Sequence, residues 1–221
     1  MRATFSNNQQ EQFIAKMSRL WSNEQDQMLI AETIQALDAR YGLYKKMARE
    51  SGVEDVIEQM LERLANSYPS LSDVQNKRIL DIACGSNTSK APASFYFGTP
   101  FCKRSSERTS TGYTAMFEPW FCRILFELKA TPVGVDFGDL TQEVFIHHRI
   151  DLGKPGALNF LPDHSFDGIQ DSRLFGSPEF TVKFPHQTDR LKVAQELVRQ
   201  EQRLLKIDGI IIHSDAAGLL R

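Results

Sequence analysis

Lys77-Arg78-Ile79-Leu80-Asp81-Ile82-Ala83-Cys84-Gly85-Ser86-Asn87 is the stretch that decides how this chain is read. A short apolar, β-branched run (Ile79, Leu80, Ile82) gives way to small residues and then to a polar loop. That pattern predicts a buried parallel strand ending in a tight turn. In an open α/β sheet, ligands bind just beyond the carboxyl ends of the strands. Small residues at Ala83, Gly85 and Ser86 leave room there for a ligand to touch the backbone.

Three later segments follow in order. Thr131-Pro132-Val133-Gly134-Val135-Asp136 reads as a second strand ending in an acid. Phe160-Leu161-Pro162-Asp163-His164-Ser165-Phe166-Asp167-Gly168-Ile169 leads into another buried strand. Leu204-Leu205-Lys206-Ile207-Asp208-Gly209-Ile210-Ile211-Ile212 reads as a helix end, a turn and a final strand. The series resembles the class I methyltransferases that use S-adenosylmethionine (SAM). Their pattern runs through an Asp-x-Gly-x-Gly loop, a Val-Gly-Val-Asp strand, a Leu-Pro-Phe-x-Asp-x-Ser-Phe-Asp segment and a Leu-Lys-Pro-Gly-Gly turn. The resemblance spans Arg78 to Asp215, and His147-His148-Arg149-Ile150-Asp151-Leu152 is similar to the family's third strand and its terminal acid. It implies an α/β, Rossmann-like methyltransferase fold. The sheet would be mostly parallel, of about five strands, with helices on both faces.

The resemblance also implies a set of cofactor-binding residues. Ala83, Cys84, Gly85 and Ser86 would lie along the amino-acid tail and ribose, with Asp81 orienting the loop or the cofactor's amino group. Asp136, ending the second strand, can accept charge-assisted hydrogen bonds from both ribose hydroxyls; its alternative is a turn cap. Phe137 would stack on adenine. Asp151 would accept from the adenine amino group and Leu152 would supply a backbone donor; the alternative for Asp151 is a plain strand-end acid. Gln170 and Asp171 would face the methyl donor and the acceptor. S-adenosylhomocysteine would be the product.

The chain departs from the family pattern in three places. Only Gly85 is a glycine where the family has two or three, and Ala83 and Asn87 narrow the space. Asp81 and Asp136 lie 55 residues apart, against about twenty in the dinucleotide fingerprint. The extra length falls between Asn87 and Pro119. It carries Phe95-Tyr96-Phe97-Gly98-Thr99-Pro100-Phe101, then Lys103-Arg104-Ser105-Ser106-Glu107-Arg108. A loop this long is usually functional or disordered, and its aromatics argue against full disorder. The basic portion reads as an exposed turn, or as a contact for an acidic partner. Family members also continue past the fifth strand with a helix and two more strands, which the sequence does not supply.

Two domains are expected: a helical extension over 1–75 and a SAM-binding domain over 76–221 carrying the insertion at about 87–118. Residues 1–8 read as disordered. Helical spacing then recurs over Gln10–Trp21, with Ser22 and Gln25 as a capping box for the next helix and Ser51 with Glu54 for another. These helices would pack on the sheet, form a homodimer face or close as a lid over the substrate. Glu118-Pro119-Trp120 opens a crossover helix reaching Lys129, and Asp139 or Thr141 caps a short helix around Gln142–Phe145. A helix over Thr188–Leu205 is ended by Gly209.

Composition narrows the class. Apolar residues make 41% and charged ones 24%, which suits a soluble globular protein. A net charge of −2 gives no long-range pull toward nucleic acid or an anionic membrane. No apolar run is long enough to span a bilayer, and the polar start lacks a signal-peptide core, so a cytoplasmic protein is expected. Three cysteines without a Cys-x-x-Cys pair argue against disulfides and zinc; Cys84 reads as a small apolar filler. His147 and His148 are adjacent, so a strand turns them to opposite faces and no metal site is expected.

Function follows from the resemblance: methyl transfer from SAM to a small-molecule acceptor. The methyl is already activated, so the protein supplies positioning, and a general base is needed only if the nucleophile must lose a proton. No catalytic residue is named by a motif; Asp171, His186 and His213 qualify by position alone. Gln170-Asp171-Ser172-Arg173 stands where an Asn-Pro-Pro-Tyr tetrad would mark amide or adenine nitrogens. The alternative is a degenerate SAM-fold module acting through a protein partner. A nicotinamide dehydrogenase would need Gly-x-Gly-x-x-Gly, which Gly85-Ser86-Asn87-Thr88-Ser89-Lys90 does not give.

Overall fold

A computed structural model of the chain describes residues 5–50, 52–86, 115–138, 140 and 143–221. The aromatic and basic segments of the expected insertion fall outside the described residues, as do Ser51, Asp139, Thr141 and Gln142.

Among the described residues, five strands form one sheet: β1 (Arg78–Ile82), β2 (Thr131–Asp136), β3 (Ile146–Arg149), β4 (Phe166–Asp171) and β5 (Leu205–Ser214). Their order is β3-β2-β1-β4-β5, and every pairing is parallel. The fold is thus α/β with an all-parallel, Rossmann-like sheet flanked by helices. The order reverses at the β1/β4 junction, the place where such sheets open a crevice at their carboxyl ends.

Alternation along β1 sends its side chains to two cores. Ile79 points into a cluster built by the N-terminal helices, α1 (Asn7–Ser18), α2 (Glu24–Tyr41), α3 (Leu43–Met47) and α4 (Gly52–Ser67), together with α5 (Trp120–Glu127). Leu80 and Ile82 point the other way, with Val133, Val135 and Ile169, against Ala194, Leu197 and Leu204. Those last three belong to α7 (Gln187–Leu204). Both faces of β1 and β2 are covered, which is why their residues read as near-continuous apolar runs. Two short helices, α6 (Pro178–Lys183) and α8 (Asp215–Leu219), complete the helices of the described residues.

Several local expectations are corrected. Asn7 and Asn8 are helical, because Ser6 and Gln9 form a capping box. The cap of α2 is Asn23, whose side chain accepts from the Asp26 N–H at 2.7 Å, and not Ser22. The described residues Glu143–Phe145 are not helical, and α5 stops at Glu127. The turn expected before the last strand is absorbed into it. Phe166 faces Leu205 and Gly168 faces Ile210, so β5 advances five residues while β4 advances two.

Candidate functional site

A cavity of about 600 Å³ opens at the carboxyl ends of the first four strands, within the range usual for small-molecule sites. Its walls come from the loop after β1 (Ala83–Ser86), the end of β2 (Asp136–Gly138), the segment after β3 (Ile150–Gly153) and that after β4 (Ser172–Leu174). Phe180, Lys183 and Phe184 close one side, Met116–Glu118 another, and Met60 reaches in from α4.

Asp136 sits at the centre. Its Oδ2 accepts from the Gly85 N–H at 3.1 Å and its Oδ1 from the Gly138 N–H at 2.7 Å. Burial raises its pKa, and those two amides partly offset the rise. A carboxylate has about four lone-pair sites, so acceptor capacity remains on both oxygens. Phe137 beside it is 63% exposed; the Arg149 guanidinium lies 5.9 Å from its ring centre.

The glycine loop is shaped by the chain itself. Gly85 has φ +96°, and a Cβ there would stand 2.2 Å from the Phe117 carbonyl oxygen. That same oxygen accepts from the Ser86 N–H at 2.9 Å. The space that a side chain would take at Gly85 is therefore filled by the 3-10 turn Ala115–Phe117, so the chain's own packing requires the glycine. Ala83 (φ +59°) and Arg173 (φ +68°) also hold left-handed backbone. Strain of this kind collects at functional sites.

Asp81 is 1% exposed and lines the cavity floor. It accepts from Gln170 Nε2 at 3.3 Å and from the Cys122 thiol at 3.6 Å. Burial pushes its pKa up to about 7. Cys84 is buried and its thiol is pushed up to about 12 by desolvation. Asp151 lines the cavity but is paired with Lys183 at 2.5 Å and accepts from the Gly153 N–H at 3.1 Å. Against the upward push of burial, those partners hold its pKa below the ordinary value. Leu152 lines the wall beside it.

Gln170 and Asp171 are fully buried and do not line the cavity. Adjacent strand residues face opposite ways. Gln170 reaches Asp81, whereas Asp171 Oδ2 accepts from the Ala216 N–H at 2.7 Å on the other face. At the end of β4 the cavity is lined instead by Ser172 and Arg173. His213 pairs with Asp215 at 2.8 Å, His186 precedes α7, and neither is in the cavity wall. Sequence reasoning missed Arg173, Lys183, Phe180 and Phe184. Only Arg173 carried a signal, as the end of the Gln170–Arg173 tetrad.

Behind the site lies a buried ion cluster. Glu118 bonds Lys46 at 2.6 Å and also Arg123, which pairs with Glu143 at 2.7 Å. The Arg123 guanidinium lies 4.2 Å from the Tyr41 ring centre and 4.7 Å from that of Trp120. The cluster ties the N-terminal helices to the turn that covers Gly85.

Among the described residues, no group of three or more His, Cys, Asp or Glu could hold a metal ion, and no helix is long and apolar enough to cross a membrane. No family model, curated protein or solved structure matches the chain.

Proposed function

We propose that this cavity binds S-adenosylmethionine within a methyltransferase-type fold and that the protein transfers its methyl group to a small-molecule acceptor. One observation carries the reading. An acid ending β2 stands beside the glycine loop of β1, at the reversal of a β3-β2-β1-β4-β5 sheet, over a cavity large enough for a nucleoside. The residues fit the group: Asp136 keeps lone pairs that could serve the ribose hydroxyls, Phe137 offers an exposed ring that could stack on the adenine, and Asp81 with Ala83–Ser86 would border the tail.

When bound, the cofactor would supply a methyl made electrophilic by its sulfonium. The chain's own contribution is positioning in a cavity walled by Met60, Met116, Leu174, Phe180 and Phe184, where the nucleophile is stripped of water. Asp81, poised near neutrality, can hold or release a proton at its carboxyl at the cavity floor.

The second reading, a binding module that no longer turns over, draws on the Phe117 carbonyl in the space of Gly85 and on the two backbone donors already held by Asp136. Calorimetric titration with S-adenosylhomocysteine and with NAD tests the cofactor class. Micromolar binding of the first alone supports it, and binding of neither rejects it. Methyl transfer from radiolabelled SAM into metabolite pools then separates turnover from mere binding.

A further inference from the structure

Among the described residues of the cavity wall, Arg173 is the cation without an ion pair, while the acids Asp81 and Asp136 are held by neutral donors. Lys183 holds Asp151, Glu118 is held by Lys46 and Arg123, and Asp136 caps two backbone amides. Arg173 has no ion-pair partner among the described residues. Its Nη1 donates to the Met116 carbonyl at 2.9 Å, and no other acceptor among the described residues takes the rest of its guanidinium.

The chain is strained to keep it there. Arg173 holds φ +68°, a conformation that costs a non-glycine residue energy unless its surroundings enforce it. The enforcing contact is the Asp215 carboxylate, whose Oδ2 accepts from the Arg173 N–H at 2.7 Å. A second guanidinium lies close by. Arg63 follows cavity-lining Met60 by one turn on the same face of α4. Its Nη1 is buried without a hydrogen-bond partner, and it too has no ion pair among the described residues. Burial first, then the like charge of Arg63, lower the Arg173 pKa to about 10. Asp81 and Asp215 offset both guanidinium groups, and Asp171 also offsets Arg63. Of these, Asp81 is pushed up to about 7 by burial, and Asp215 is engaged by His213 and the Arg173 amide. Arg173 thus presents spare N–H donors at the cavity wall with the like charge of Arg63 behind it, an arrangement that an incoming anion would relieve.

From this we infer that Arg173, backed by Arg63, anchors a carboxylate on the methyl acceptor, so that the acceptor is a small apolar carboxylic acid. The neighbouring wall of Met60, Met116, Phe180 and Phe184 suits an apolar body, and the planar guanidinium suits a carboxylate's two oxygens. The word acceptor rests on the methyl-transfer reading; the anion site itself does not.

Phenylacetate and its neutral counterpart phenylacetamide are the probes, titrated calorimetrically with and without S-adenosylhomocysteine. The wild-type chain should prefer phenylacetate by about tenfold or more. Arg173→Gln should abolish that preference and Arg63→Gln should reduce it, with circular dichroism confirming that each variant is folded. S-adenosylhomocysteine affinity should be unchanged in Arg173→Gln. Equal binding of the two probes by the wild type, or an intact preference in folded Arg173→Gln, overturns the site. If Arg173→Gln instead weakens S-adenosylhomocysteine but not 5′-methylthioadenosine, the guanidinium serves the cofactor's carboxylate and the acceptor assignment falls. An Arg173-dependent preference in a protein that binds no S-adenosylhomocysteine upholds the anion site while removing the methyl-transfer reading.

Discussion

The Gly85 amide donates to Asp136 Oδ2 at 3.1 Å. This bond joins the loop after β1 to the tip of β2, residues far apart in sequence that the parallel register sets side by side. It makes Asp136 both a candidate ligand acceptor and a fastener of the loop, and substitution must separate those roles.

Asp136→Ala removes the acceptor of two amides, and each donor left buried and unpaired costs about 1–3 kcal/mol. Asp136→Asn keeps one oxygen and the volume. If the carboxylate serves the ribose, the Asn variant stays folded while S-adenosylhomocysteine affinity drops about tenfold. An unchanged dissociation constant by calorimetry would reject that role.

Gly85→Ala places a methyl 2.2 Å from the Phe117 oxygen on a backbone at φ +96°. The turn must move or the loop must refold. We expect a loss of about 2–4 kcal/mol, read as a lower urea midpoint. A shift under about 0.5 kcal/mol, the range of ordinary surface changes, would mean the two segments are not packed as described.

Arg123 is 3% exposed and holds both Glu118 and Glu143. Removing the guanidinium in Arg123→Ala takes one charged partner from each of two buried carboxylates, Glu118 keeping Lys46, and such losses run to about 3–5 kcal/mol. In a chain of this length the melting temperature should fall by about 10 °C. Arg123→Lys should recover part of the loss, because the charge returns without the flat stacking surface between Tyr41 and Trp120.

Glu201 is 2% exposed, and both its oxygens accept from the Ser214 hydroxyl at 3.1 Å. Desolvation first, then the nearby Asp171 charge, raise its pKa from 4.5 to about 8; Asp171 itself is raised from 3.8 to about 6. Between these limits the folded state binds more protons than the unfolded one. The contribution of Glu201 is therefore full below about pH 4.5 and is lost as pH rises through 8, and that of Asp171 is lost as pH rises through about 6. Urea midpoints across pH 5–9 should fall with pH in the wild type, and Glu201→Gln should flatten much of that slope. A midpoint that rises over this range would contradict the burial of the pair.

How far the sequence carried depends on what each residue answers to. The β1 and β2 runs were legible because burial on both faces leaves a plain apolar signature. Gly42 was legible as an interruption because it ends α2 at φ +64°. The wall was legible at Asp136 and Ser86, which lie at strand ends. Arg173 and Lys183 were not, because a cation in a loop carries no periodicity and gains its meaning from partners distant in sequence. Gln170 and Asp171 were misplaced because the strand runs on to Asp171, which sends one side chain to each face. The role of Gly85 was half visible: a tight turn of small residues could be read, but the carbonyl it accommodates belongs to Phe117, 32 residues on.

The outermost strand β5 carries one further consequence. Its extra residues leave Ile207 wholly exposed, and the ladder with β4 shifts again between Ile169 and Gln170. An interrupted rim is a poor template for a foreign strand. At the opposite border, β3 is only four residues long, with two histidines and an arginine. Both margins discourage lateral stacking of one molecule upon another, so the sheet limits its own growth.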